Sequence, residues 1–157
     1  MISDTAATLA ALRKLLLLIL LVGMTGTLTE LFLLDHVEDF SQLIPLGLIG
    51  AGYLVLGWHG VRRSRGSIAA VQVVMLLYVV SGALGMYLHY RANVEFQHEL
   101  EPELSGSNLL WKVLRAKTPP ALAPGVMAQL GLIGFAYAYR HPAFAPGRRI
   151  LEENRDE

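Results

Sequence analysis

Four long apolar runs dominate this sequence, and very few folds can accommodate them. They cover residues 15–34, 43–61, 68–90 and 121–139. Each is close to the ~20 residues a helix needs to cross ~30 Å of hydrocarbon. Only helices or closed barrels satisfy their own backbone groups in lipid, and the period-2 alternation of barrel strands is absent. The expected fold class is therefore all-α, an integral membrane bundle of four transmembrane helices. It forms a single domain over residues 1–142, with a short charged tail over 143–157.

Composition agrees with that reading. The 157 residues are 54% hydrophobic and 17% charged, where soluble domains carry about 25% charged residues. A chain this short has too much surface to hide such apolar content from water. A secretory signal fits the first run less well, because the apolar stretch continues past Gly26 to Leu34 with no convincing cleavage site. A soluble bundle would be unusual with helices that are hydrophobic all round. With no cysteine, disulfides and thiolate chemistry are excluded. The 13 basic and 13 acidic residues balance, which argues against a nucleic-acid partner.

Orientation follows from where the cations fall. Arg62, Arg63 and Arg65 follow the second run, Arg13 and Lys14 precede the first, and Arg140, Arg148, Arg149 and Arg155 follow the fourth. The first outer loop, residues 35–42, has no Lys or Arg. The positive-inside rule then places both termini in the cytoplasm of a cell-membrane, multi-pass protein. The second outer loop, residues 91–120, does carry Arg91, Lys112, Arg115 and Lys117, but long loops weigh less in that rule. Within it, residues 107–115 read as a short amphipathic helix opened by Ser107. That helix either lies in the headgroup region or packs over the bundle mouth.

Small residues recur at helical spacing: Gly47 with Ala51, Ser81 with Gly85, and Gly131 with Gly134. In lipid, close backbone contact through small residues supplies packing that hydrophobicity cannot. These stripes predict a bundle interior, a homo-oligomer face or a face for another membrane protein.

One polar constellation points to chemistry. Acids and histidines concentrate beyond the outer ends of the first and third runs, and Glu30 lies inside the first run itself. A carboxylate in a span is expensive unless it is paired or faces a cavity, so it marks a functional candidate. His89 and Asn93 continue the Ser81–Gly85 face outward at four-residue spacing. Glu95 and His98 form an E-x-x-H pair. The candidate metal set is Glu30, His36, Glu38, His89, Asn93, Glu95 and His98, with zinc, manganese or iron as the fitting ions. A full carboxylate-bridged di-metal motif needs two such pairs and two further glutamates. A second arrangement pairs His36 with His89 and His59 with His141 as bis-His haem ligands. P-loop, dinucleotide-binding and nucleophile-elbow motifs are missing. The expected function is a small membrane binding or accessory protein with a cation-binding outer mouth. The alternative is a metal-dependent enzyme or metal-handling protein built on the same cluster.

Overall fold

The computed structural model describes residues 2–35, 40–117 and 120–144. These fold into α1 (Ile2–Leu33), α2 (Phe40–Val61), α3 (Arg65–Leu100), α4 (Gly106–Leu114) and α5 (Gly125–Ala138). A single 3₁₀ turn, Pro142–Phe144, follows. Among the described residues there is no named strand, only an isolated bridge between Lys117 and Pro120.

Three of these helices, α1, α2 and α3, are long and apolar enough to cross a membrane. The α5 helix has 14 residues, about 21 Å at 1.5 Å per residue, which is short for a span. The expected fourth run is thus only partly helical. Its first residues, 121–124, are turns ending at Pro124, and the helix starts at Gly125. Proline lacks the N–H that would extend a helix backward through it.

Two other boundaries lie well outside the apolar runs. The α1 helix begins at Ile2 rather than near residue 15, because residues 5–12 are mostly alanine, leucine and threonine, with four alanines among them. The α3 helix continues to Leu100 rather than ending at Tyr90. Residues 91–100 contain no glycine or proline, and Arg91 and Glu95 pair one turn apart at 2.8 Å. Apolarity reports where lipid ends, not where a helix does. The E-x-x-H pair therefore lies on α3 and not in a loop. The short helix over 107–115 exists as α4, but its N-cap is Ser105 rather than Ser107.

The α3 helix is the hub, packed against α5 on one side and α2 on another, with α1 against α5. Glycines let α3 and α5 touch backbone to backbone. A Cβ on Gly131 would sit 2.6 Å from the Met75 carbonyl oxygen, and one on Gly82 would sit 3.0 Å from the Pro124 carbonyl oxygen. Gly134 abuts the Met75 sulfur, and Gly85 abuts Pro124. The α2 contact uses Gly52, which admits the Tyr78 hydroxyl and the Met24 methyl. Gly47, expected on an interior or an oligomer face, faces open space. The core between these helices gathers Leu20, Met24, Ile49, Met75, Tyr78 and Leu130.

Most large apolar side chains lie outside that core. Only 17% of the most apolar stretch of α1 and of α2 is buried, and 33% of that of α3. Leu15, Leu18, Val22, Leu54, Val73, Val80 and Leu132 are all more than two-fifths exposed. Water would not tolerate so continuous an apolar surface, whereas lipid is its natural solvent. The chain is a helical membrane protein.

Candidate functional site

The bundle has two chemically distinct ends. The acidic end holds the α1–α2 connection, the far end of α3 and α4. The basic end holds the 62–64 connection, Arg13 and the segment after α5. Their architecture differs more than their composition does.

At the acidic end the described members of the expected metal set, Glu30, His89, Asn93, Glu95 and His98, do not come together as a three-ligand group. Glu30 is exposed on the outer side of α1, alongside exposed Thr29 and Gly26. His36 and Glu38 lie outside the described residues. The His89 Nδ1–H donates to the Pro120 carbonyl at 3.0 Å, tying α3 to the start of the α5 segment. Asn93 is buried at 2% exposure. Glu95 accepts from Arg91, one turn earlier, and His98 is exposed. Lys112 of α4 pairs with Glu101 at the α3 C-cap. Among the described residues no three of His, Asp or Glu come together as metal ligands would.

The α4 helix seats Val113, fully buried, against α3. Its other side leaves Leu110, Trp111 and Leu114 exposed, with the Arg115 guanidinium 5.1 Å from the Trp111 ring centre. Packing over the mouth and presenting an aromatic ridge are thus both properties of this one helix.

At the basic end, side chains from three elements interlock. Ser64 caps α3: its side chain accepts from the Ser67 N–H, and the Ser67 hydroxyl accepts from the Ser64 N–H at 3.1 Å. That Ser67 hydroxyl donates to the Arg62 carbonyl at 2.6 Å. With its single hydrogen committed, it receives the Nδ1–H of His59 at 2.8 Å. His59 and Ser67 are 3% and 0% exposed. The two ends of the 62–64 turn are therefore locked together by a buried, fully used hydroxyl.

Against His59 stand Tyr137 of α5 and His141. The His59 and His141 ring centres are 4.8 Å apart and edge-to-face, and the Tyr137 and His141 rings are 5.6 Å apart. Backbone clamps hold this segment in place. Arg13 donates to the Arg140 carbonyl at 3.1 Å, and Arg65 donates to the Phe144 carbonyl at 2.7 Å. The Ala143 N–H donates to His141 Nδ1 at 3.2 Å, so the neutral ring carries its hydrogen on Nε2. Burial first, then His59, Arg13 and Arg63, push the His141 pKa from 6.5 down to about 4.

This nest is poorly suited to catalysis or to a cation. Ser67 is sealed and has given its hydrogen to a carbonyl, so it is no nucleophile. The positive charges of Arg13 and Arg63 beside the two histidines disfavour a metal ion there. Two axial imidazoles on one iron would stand about 6 Å apart on opposite faces of a porphyrin, not 4.8 Å apart and edge-to-face. The nest holds the bundle end shut. Its sequence signals were the S-x-x-S spacing of a cap and a histidine eight residues before the second serine.

Mid-bundle, the Thr25 hydroxyl and the Tyr53 hydroxyl are 2.7 Å apart, joining α1 to α2. The Tyr78 hydroxyl is buried beside Gly52 without a hydrogen-bond partner among the described residues. Comparison of the chain with protein-family models, with curated proteins and with solved structures gave no match.

Proposed function

We propose that this chain is a small integral membrane binding protein, an accessory subunit that docks against other membrane-spanning helices. In this reading it crosses the cell membrane four times, with both termini on the cytoplasmic side, the basic end inward. Two contacts support the fourth crossing: residues 120 to 137 run along α3 from the level of His89 to that of His59 and Ser67. That stretch of α3, residues 67–89, measures about 33 Å.

The observation that carries the docking role is the outer surface of α1. Gly26, Thr29 and Glu30 share one helical face and are all exposed, with no atom near the position a Gly26 Cβ would take. A carboxylate facing hydrocarbon is unfavourable by about 2 kcal/mol or more at depth. A partner helix offering donors at that level removes the penalty, and Gly26 lets it approach closely.

Photo-crosslinking from position 26, in membranes, tests this directly. A discrete crosslinked membrane partner is expected from position 26 and not from position 132 on the far side of α5. Glu30→Leu should weaken co-purification of that partner. Crosslinks to lipid alone, with Glu30→Leu indistinguishable from the parent, would overturn the proposal. Stoichiometric zinc, manganese or iron in the purified protein would replace it with the metal-handling alternative.

A further inference from the structure

We propose that the groove between α1 and α5 at the basic end binds one anionic phospholipid, its phosphate held by Arg13 and Arg140. The groove is half open and offers ≈ 420 Å³. Arg13 and Arg140 stand on its two walls, and Tyr139, 69% exposed, borders it. Leu16 and Ala136 line it one helical turn from each arginine toward the middle of the bundle. Leu12 extends the α1 wall in the other direction.

The chemistry is that of a lipid headgroup site. Arg13 makes a bond to the Arg140 carbonyl, which holds the guanidinium in the groove. A guanidinium has five N–H donors in a fork suited to phosphate oxygens, so one such bond leaves capacity for an anion. Arg140 adopts a left-handed backbone, φ 45°, as the chain leaves α5. That turn presents its carbonyl to Arg13 while its own side chain stays exposed. The ion pairs Arg91–Glu95 and Lys112–Glu101 belong to the opposite end. The α1 wall runs into the lipid-facing surface through exposed Leu9 and Leu12, with exposed Ile19 two turns on along the Leu12 face. A soluble anion would use the arginines and waste those walls; a phospholipid uses both. Basic pockets between helices near a membrane surface are suited to anionic headgroups, and tyrosine favours the same level. The inference rests on the chain lying in a membrane and not on the α1 docking face.

Native mass spectrometry in detergent supplies the test, after exchange into an equimolar mixture of phosphatidylglycerol and phosphatidylcholine with identical acyl chains. One phosphatidylglycerol should be retained with a preference of roughly thirtyfold, the size expected for two arginines. Arg13→Gln with Arg140→Gln should bring the ratio near one, while Arg62→Gln keeps the preference. Ala136→Phe keeps both arginines and fills the groove, and should reduce retention of either lipid. Equal retention of both lipids by the parent would overturn the site. So would an Arg62→Gln effect as large as the double variant's, which would indicate a general basic rim. Displacement of the lipid by millimolar inorganic phosphate would also overturn it, since the walls would then contribute nothing.

Discussion

Among the described residues the acidic end carries more titratable side chains than the basic end, yet the basic end is the better built. At the acidic end, charges settle with near neighbours: Arg91 with Glu95 one turn on, and Lys112 with Glu101 across the α3–α4 turn. His98 and Glu30 remain exposed. At the basic end, His59, Ser67, Tyr137 and His141 come from α2, α3, α5 and the segment beyond, and they meet. Density of ionisable residues along a chain is therefore a poor guide to a site. Convergence from separate elements is the better one, and here it produces a clasp rather than a reaction centre.

The sharpest test of this comparison lies in the packing that brings those elements together. Gly131→Val drives a branched side chain into the Met75 carbonyl and Val79, and should destabilise the protein by about 3 kcal/mol. Gly47→Val, on an open surface, should leave stability nearly unchanged. Thermal unfolding in detergent reads both. Equal effects would mean that the α3–α5 contact does not organise the bundle.

Next in size is the clasp itself. Ser67→Ala removes the acceptor of the His59 Nδ1–H and one half of the α3 cap. The expected loss is about 2 kcal/mol, because a buried donor is left without a partner. His89→Ala at the other end breaks one more exposed bond, to Pro120, and should lose clearly less. A larger loss at His89 would reverse the ranking of the two ends.

The sequence made the lipid environment legible, because apolar runs of span length leave few alternatives. It also located the α5 glycines: Gly131 and Gly134 do meet Met75. On α2 the stripe does not mark the interior, which leaves its other reading as an outward face. Gly47 looks outward and Gly52 makes the contact, because an all-apolar helix has no polar face to show which side turns inward. The outer cluster was legible as composition only. Glu95 and His98 fit metal-ligand spacing, but spacing along one helix cannot supply ligands from a second. Conversely, His59 and His141 are 82 positions apart, yet their places at the inner ends of the second and fourth runs already pair them, and their rings do meet, edge-to-face rather than as two ligands of one iron.

Acidity should weaken the basic end before it affects the acidic one. The folded His141 resists protonation down to about pH 4, whereas the unfolded imidazole takes a proton near 6.5. Between those values the unfolded state binds more protons, so stability falls as pH is lowered through the window and levels off above it. Thermal unfolding at pH 7, 5.5 and 4.5 should show this decline, and His141→Gln should flatten it. An unchanged slope in that variant would assign the pH response to another group.

The smallest effect should come from the group that looked most like a ligand. Glu95 is 65% exposed at its side chain and bonded to Arg91, which is 57% exposed. An ion pair of that kind exchanges contacts with water at little net gain, and α3 is held over this stretch by its own backbone and by α4. Glu95→Gln should therefore leave the unfolding temperature unchanged within error, at low and at high salt. If added zinc raises the unfolding temperature of the parent and not of Glu95→Gln, the carboxylate is a metal ligand after all. The acidic end would then be a site that closes only around its ion, and its contrast with the preassembled clasp would be one of timing rather than of purpose.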